Sequence, residues 1–426
     1  MASGRRDGTD DMTLLADLLS TVFERRLRPG RAGQRDDRPI ADLTTDLIGA
    51  SGEVSGTTVA RNLLSRYDEM DDDAKLAFFH HLARDMNINA PDVHQALEAY
   101  EAAHTKATYR AFMQAAEPPR QELIRRLNQV PGATGALVAM RADLLRLGRG
   151  VDALQALDID FRHLFASWFN RGFLVLRPIN WQSPAHILDK IIAYEAVHQI
   201  DSWDDLRRRL EPSDRRCFAF FHPAIPDEPL IFVEVALTQG VTVSVQGVLA
   251  ESRKMIEAEA ADTAVFYSIS NCQAGLASIS FGNSLIKQVA ADLAMELPGL
   301  KTFVTLSPIP GLADWLAEND VLAKPDDDER IRSLAAYYLL DVKQRDGLPR
   351  DPVARFHLGN GALIHQVSAN ADMSEKGIAQ SRGAMVNYLY DLARVSQNHE
   401  RFAVDHAIAA SAEVRALAAA ARNAAA

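Results

Sequence analysis

One change of rhythm constrains this chain more than any other feature. From Met12 to about Phe169 apolar residues recur at helical spacing, and no strand-like alternation breaks the pattern. From about Gly172 onward they gather instead into short runs rich in Val, Ile, Phe and Tyr, separated by helical segments. A helix-period pattern and a strand-period pattern bury their apolar faces in different ways. The expectation is therefore a mixed α+β chain: an all-α helical-bundle N-terminal domain over 1–172 and an α/β domain over 173–426.

In the first part, LLADLLSTVF (14–23) carries Leu14, Leu15, Leu18, Leu19, Val22 and Phe23 on one helical face. MDDDAKLAFFHHLARDM opens on Asp71, Asp72 and Asp73, the right sign for a helix N-terminus. Pro91 sits at a first-turn position, and further helices are predicted over 119–128, 134–147 and 151–167. The polar stretches 1–11 and 30–39 are expected to be disordered. In the second part, strands are predicted over 173–179, 217–223, 230–237, 263–270, 302–307 and 362–368. Helices are predicted over 184–195, 283–297, 329–342 and 374–392, and a last helix from 403 onward.

The length of 426 residues suits two or three domains. A net charge of -11 argues against nucleic acid or an anionic membrane surface as a general partner, although a locally positive pocket for a small anion remains compatible with it. The two cysteines, Cys217 and Cys272, lie in strand-like runs and make no disulfide framework. No apolar run reaches the length of a membrane span, and the first residues lack the apolar stretch of a secretory signal. A cytoplasmic protein is expected.

Three stretches carry candidate chemistry. In VTLSPIPG (304–311) an apolar run ends on Ser307, and Pro308, Pro310 and Gly311 then fix the backbone. In SNCQAGLASISFGNSLIK (270–287) a strand ends, a loop of small residues follows, and a helix begins with Leu285, Ile286, Val289, Ala290 and Leu293 on its buried face. Small side chains let an anion approach the backbone, and the free N–H groups of a helix start favour phosphate. The spacing matches neither GxGxxG nor GxxxxGK[ST]. In RFHLGNGALIH (355–365), His357 precedes a Gly-Asn-Gly turn and His365 lies in the strand after it. There is no HExxH, no Cys/His cluster and no GxSxG, which sets aside the zinc and nucleophile-elbow chemistries those motifs carry. His80-His81 reads as packing or surface.

FYSIS (266–270), SFGNSLIK (280–287), LSPIPG (306–311), RFHLGNGA (355–362) and GAMVNYLY (383–390), taken in this order, resemble the malonyl-CoA decarboxylase family. EAVHQI (195–200), RRCFAFFHP (215–223) and EPLIFVEVALT (228–238) look like the same family. The resemblance covers about 173–402 closely, and the helical part matches in character and length. It implies an acetyltransferase-like (GNAT) fold for the second domain and conversion of malonyl-CoA to acetyl-CoA and carbon dioxide with no metal or organic cofactor. It implies Ser307 and His357 as catalytic residues. It also implies a CoA pyrophosphate loop at Ala277, Ser278, Ile279, Ser280, Phe281, Gly282 and Asn283, with Asn360 a further binding candidate. A homo-oligomer is implied, a tetramer built from dimers or a dimer. The GNAT signature is present only loosely, from Gln273 to Ala277. Ser280 stands where vertebrate-like members carry a glutamate, so Asn283 or a backbone group would have to replace that carboxylate.

Losing CO₂ from a malonyl thioester requires an oriented carboxylate, a stabilised enolate oxygen and a proton for the α-carbon. Ser307 suits the first task, as one hydrogen-bond donor on a pre-ordered loop. His357 suits protonation as an imidazolium, or enolate stabilisation by hydrogen bonding. A GNAT-fold acyl-CoA-dependent acyltransferase and a non-catalytic malonyl-CoA-binding protein are the competing readings.

Overall fold

The computed structural model describes residues 36–50, 52–279, 285–321 and 327–425. The expectations for 1–11, for LLADLLSTVF and for most of 30–39 lie outside the described residues, as do Ser280, Phe281, Gly282 and Asn283.

The first helices are α1 (Ile40–Gly49), α2 (Glu53–Asp68), α3 (Asp72–Arg84), α4 (Ala90–Ala102), α5 (Lys106–Ala116), α6 (Pro119–Leu127), α7 (Ala133–Leu147) and α8 (Asp152–Trp168). Their starts follow the expected chemistry. Asp71 caps α3 by accepting from the Ala74 amide at 2.8 Å, and Pro91 lies in the first turn of α4. Leu82, Leu123, Leu137, Phe161 and Phe165 fill the bundle core. His81 is tied to Thr44 and Asp85, so it packs as expected.

Among the described residues eight strands form one mixed sheet: β1 (Val175–Ile179), β2 (Arg215–His222), β3 (Ile225–Thr238), β4 (Thr263–Asn271), β5 (Thr302–Thr305), β6 (Ser307–Pro308), β7 (Leu363–Ser368) and β8 (Met385–Leu389), in the order β1-β2-β3-β4-β5-β8-β6, with β7 also on β8. β3 and β4 are antiparallel, while β4 and β5 are parallel. The described helices of this part are α9 (Ala185–Tyr194), α10 (Trp203–Leu210), α11 (Val245–Leu249), α12 (Leu285–Glu296), α13 (Leu312–Glu318), α14 (Asp328–Asp341), α15 (Pro352–Gly359), α16 (Glu375–Ser381), α17 (Val395–Asp405) and α18 (Ala412–Ala425). Leu285, Ile286, Val289, Ala290 and Leu293 form the buried face of α12 as expected. By contact the chain divides into two compact units. One is the described part of Met1–Val175 with His222–Glu228 and Gln273–Ile279; the other is Leu176–Phe221, Pro229–Cys272 and the described part of Ser280–Ala426.

Two expectations need correction. The helix predicted over 374–392 is a short helix, α16, followed by strand β8. Arg382 and Gly383 take left-handed conformations, at φ 54° and φ 78°, which stops α16. Met385-Val386-Asn387-Tyr388-Leu389 then pairs with β5, β6 and β7, so a strand held on both edges overrides any helical spacing. The single last helix from 403 is likewise two. His406 turns left-handed at φ 53° and ends α17. Ile364 exchanges backbone bonds with Ala409 and Ser411 before α18 begins.

Candidate active site

The run 302–307 is not one uninterrupted strand. Opposite Thr305 the ladder to β8 is carried by side chains: the Tyr388 amide donates to Thr305 Oγ1 at 3.2 Å, and Asn387 Nδ2 donates to the Thr305 carbonyl at 2.8 Å. The Leu306 amide turns the other way, to the Phe266 carbonyl of β4 at 2.9 Å. Ser307 therefore sits just past a break in the pairing, buried at 5% exposure. The prolines after it lead to Gly311, where an added Cβ would lie 2.3 Å from Tyr338 Oη, so any side chain at the start of α13 would have to displace that buried tyrosine.

His357 comes from the last turn of α15. Asp351 caps that helix, accepting from the Ala354 amide at 2.8 Å, and Pro352 occupies its first turn. Gly361, at φ 84°, ends it against α17, where a Cβ would meet the Val395 carbonyl oxygen at 1.9 Å. This frame places His357 Nε2 at 3.1 Å from Ser307 Oγ. The ring stacks on Tyr388, with centroids 4.4 Å apart and planes 23° from parallel, and its Nδ1 lies 2.8 Å from Tyr390 Oη.

Hydrogen-bond accounting fixes the ring's tautomer. Ser307 Oγ donates its one proton to Thr305 Oγ1 at 2.8 Å. His357 must then present Nε2–H to Ser307 Oγ and accept at Nδ1 from the Tyr390 hydroxyl. Burial pushes the Tyr390 phenol well above its ordinary range, which keeps it protonated and able to donate. Burial also lowers the pKa of His357 from an ordinary 6.5 to about 3. Of the two roles left open for His357, a resting imidazolium is the one burial disfavours: a charge there would be stripped of water, and the ring is neutral near pH 7.

Ser307 and His357 open onto a cavity of about 250 Å³ walled by Val197, Ile269, Leu306, Pro308, Val353 and Phe356, among others. No Lys, Arg, Asp or Glu is among the described residues lining it. Val197 is held there by Glu195, whose carboxylate accepts from the Val197 and His198 amides at 2.8 and 2.7 Å and from the hydroxyls of Ser268 and Ser270. Among the described residues no cluster of His, Cys, Asp or Glu is arranged to hold a metal.

Of the other sequence candidates, Asn360 does not line this cavity. It is buried at the end of α15, and its Nδ2 donates to the Phe356 carbonyl at 2.7 Å. Ala277, Ser278 and Ile279 follow a 3-10 turn at Ala274–Leu276 in the first compact unit, with Ala277 and Ser278 exposed. Sequence reasoning missed Thr305, Tyr388 and Tyr390. The signal was present: read as a strand, NYLY puts Tyr388 and Tyr390 two residues apart on one face, and both meet His357.

Comparisons with known proteins point to one family. The family model of the malonyl-CoA decarboxylase C-terminal domain matches residues 172–330 and 324–426, and that of the N-terminal domain matches 87–169. The chain is 35% identical over 348 residues to the mitochondrial malonyl-CoA decarboxylase of Anser anser anser, covering 70% of this chain and 69% of that one. It is 32% identical over 378 residues to the Mus musculus protein of the same name, covering 76% of each. Among solved structures, malonyl-CoA decarboxylase from Rhodopseudomonas palustris superposes with a TM-score of 0.84 at 46% identity, covering 88% of this chain and 98% of that one. The Agrobacterium vitis enzyme gives 0.83 at 47% identity, covering 89% and 99%.

Proposed function

The chain belongs to the malonyl-CoA decarboxylase family, and we propose that it converts malonyl-CoA to acetyl-CoA and carbon dioxide, with Ser307 and His357 as its catalytic residues. The single observation that carries the residue assignment is a neutral His357 Nε2–H aimed at Ser307 Oγ on the wall of a cavity whose described lining residues carry no charge.

The substrate carboxylate enters a wall whose described lining residues offer hydrogen bonds and no cation. Ser307 turns its hydroxyl from Thr305 to the substrate and sets the carboxylate so that its C–C bond overlaps the thioester carbonyl. With no salt bridge to hold it, the carboxylate is not over-stabilised in the ground state. As the bond breaks, its electron pair passes into the thioester, CO₂ leaves, and negative charge grows on the thioester oxygen, where Nε2–H can donate. An enolate carbon is basic enough to take a proton from a neutral N–H; the imidazolate left behind regains its proton from water after product leaves, and the hydroxide formed passes to solvent or to CO₂ as bicarbonate. Tyr390 keeps the proton on Nε2 by occupying Nδ1.

The loop from Ala277 through Asn283 is assigned to the CoA pyrophosphate, on the strength of its small residues before α12. Self-association is assigned to the helical region. Neither α4 nor α5 has a buried residue, and Tyr100, Tyr109 and Phe112 cluster between them with Tyr109 and Met113 half exposed. No described helix is long and apolar enough to cross a membrane. Placement in the cytoplasm rests on Cys217 and Cys272, which form no disulfide.

The test is an assay with malonyl-CoA, excess EDTA and no acceptor, following acetyl-CoA by chromatography with mass detection. Stoichiometric acetyl-CoA is expected, with kcat reduced about 10³-fold in His357→Ala and about 10²-fold in Ser307→Ala. Intact malonyl-CoA with folded protein would overturn the proposal.

A further inference from the structure

Residues 195–202 join α9 to α10 with neither helix nor strand of their own. Their backbone groups must find partners elsewhere, and they find them on side chains. The carboxylate of Glu195 accepts from the amides of Val197 and His198 at 2.8 and 2.7 Å, and from the hydroxyls of Ser268 and Ser270 on β4 at 2.7 and 3.2 Å. Ser270 Oγ also accepts from the Ala196 amide at 3.2 Å. Arg209 donates to the carbonyls of His198 and Gln199 at 2.8 and 2.9 Å, and Lys376 to that of Ala196. A segment that could lie in many ways is thus fastened to the sheet, with Val197 at its centre.

Val197 lines the cavity of Ser307 and His357. The other described wall residues sit on β4, on the β5–β6 run or on α15, where strand ladders and helix bonds fix them. Val197 alone is brought in by side chains. Its branched Cβ restricts χ1, so its methyl groups make a firm surface. The cavity, at about 250 Å³, is smaller than most ligand sites, which start at ~300 Å³. Ser307 takes the substrate carboxylate and His357 the thioester oxygen. The carbon between these two groups then turns its hydrogens toward apolar wall, and a wall so close decides whether a methyl group can replace one of them.

We infer that Val197 determines how large a substituent the central carbon of a malonyl thioester can carry, and that Glu195 is the positioning residue that holds Val197 in place. This rests on the reading of the cavity as the decarboxylation site.

The experiment measures kcat/KM of the full chain for malonyl-CoA and methylmalonyl-CoA and reads their ratio. Wild type is expected to prefer malonyl-CoA about 10²-fold. Val197→Ala is expected to cut that preference about tenfold, and Val197→Ile to sharpen it. Glu195→Ala, which frees the Val197 and His198 amides, is expected to cut it about threefold. Glu195→Gln is expected to keep it, because Oε1 can still accept both amides while the serine hydroxyls turn to accept from the new NH₂. A merely destabilised fold would lower both rates together and leave the ratio alone. An unchanged ratio in Val197→Ala, or a wild type that uses both esters equally, overturns the role of Val197. An unchanged ratio in Glu195→Ala, or no rescue by Glu195→Gln, overturns that of Glu195. If Glu195→Ala does not fold, Ser270→Ala is read in its place, since it loses one bond to Glu195 and one to Ala196; an unchanged ratio there overturns the clamp. If wild type decarboxylates neither ester, the proposed activity itself fails and the inference falls with it, a result distinct from any shift in preference.

Discussion

Two buried polar clusters in this protein follow opposite rules. Around Arg141 the partners are an ion or strong dipoles: a guanidinium at 1% exposure meets the part-buried Asp158 carboxylate and backbone carbonyls that use its remaining donors. Around His357 every partner is neutral: a serine, a threonine and two tyrosines. A buried ion pair tolerates loss of water only when its hydrogen bonds are satisfied, and it then fixes geometry firmly. That suits a clasp. The decarboxylation proposed for the second cluster has the reverse need, because a resident cation would stabilise the charged substrate and deepen the well it has to leave. The difference teaches that burial alone says little about a polar group's task. What decides is whether its partners carry charge.

The comparison can be broken most forcefully by importing charge into the neutral cluster. Phe356 is on the cavity wall and 40% exposed, so a longer side chain can be accommodated there. Phe356→Lys is expected to lower KM for malonyl-CoA while reducing kcat about 10²-fold relative to Phe356→Met, which removes the ring without adding charge. Steady-state kinetics of the two variants would check this, and equal kcat values would refute the role given to neutrality.

A gentler change removes the tautomer lock. Tyr390→Phe keeps the ring and its packing but leaves Nδ1 without a donor. A loss of about tenfold in kcat is expected with KM nearly unchanged, and ¹⁵N NMR of labelled histidine should report a mixture of tautomers in place of the Nε2–H form.

The smallest effect is on pH dependence. His357 is held neutral to about pH 3, against 6.5 in the unfolded chain. Between those values the unfolded state binds a proton that the native state does not, so the native state loses stability as pH falls from 6.5 toward 3. The slope from this one group is about 1.4 kcal/mol per pH unit, and it vanishes above 6.5. Denaturant titrations of wild type and His357→Gln across pH 5 to 7 should show the steeper acid loss in wild type. In the same range kcat/KM should show no limb with a midpoint near 6.5 from this residue. Such a limb, lost in His357→Gln, would restore the imidazolium as the working form.

Much of the fold was legible because its signals are local. Asp71 and Pro91 start helices by satisfying or omitting orphan N–H groups, and the buried face of α12 follows from spacing alone. Ser307 and His357 stood out because prolines and glycines flank them, a mark of backbone held for a purpose. GAMVNYLY was misread because its residues suit either period. Only the neighbours β5, β6 and β7 make it a strand, and with that error Tyr388 and Tyr390 were lost from the site.

What the sequence determined by itself was the division into a helical part and a sheet part, the family, and the choice of Ser307 and His357 as a candidate pair. These depend on patterns within a few residues or on motifs kept in order. What only the tertiary structure decided was the state of that pair: a neutral ring, its proton on Nε2, and a cavity with no charged side chain among its described lining residues. Protonation is set by the water and charge around a group, and those neighbours come from α15, β5, β6 and β8, whose meeting no local stretch of the chain encodes.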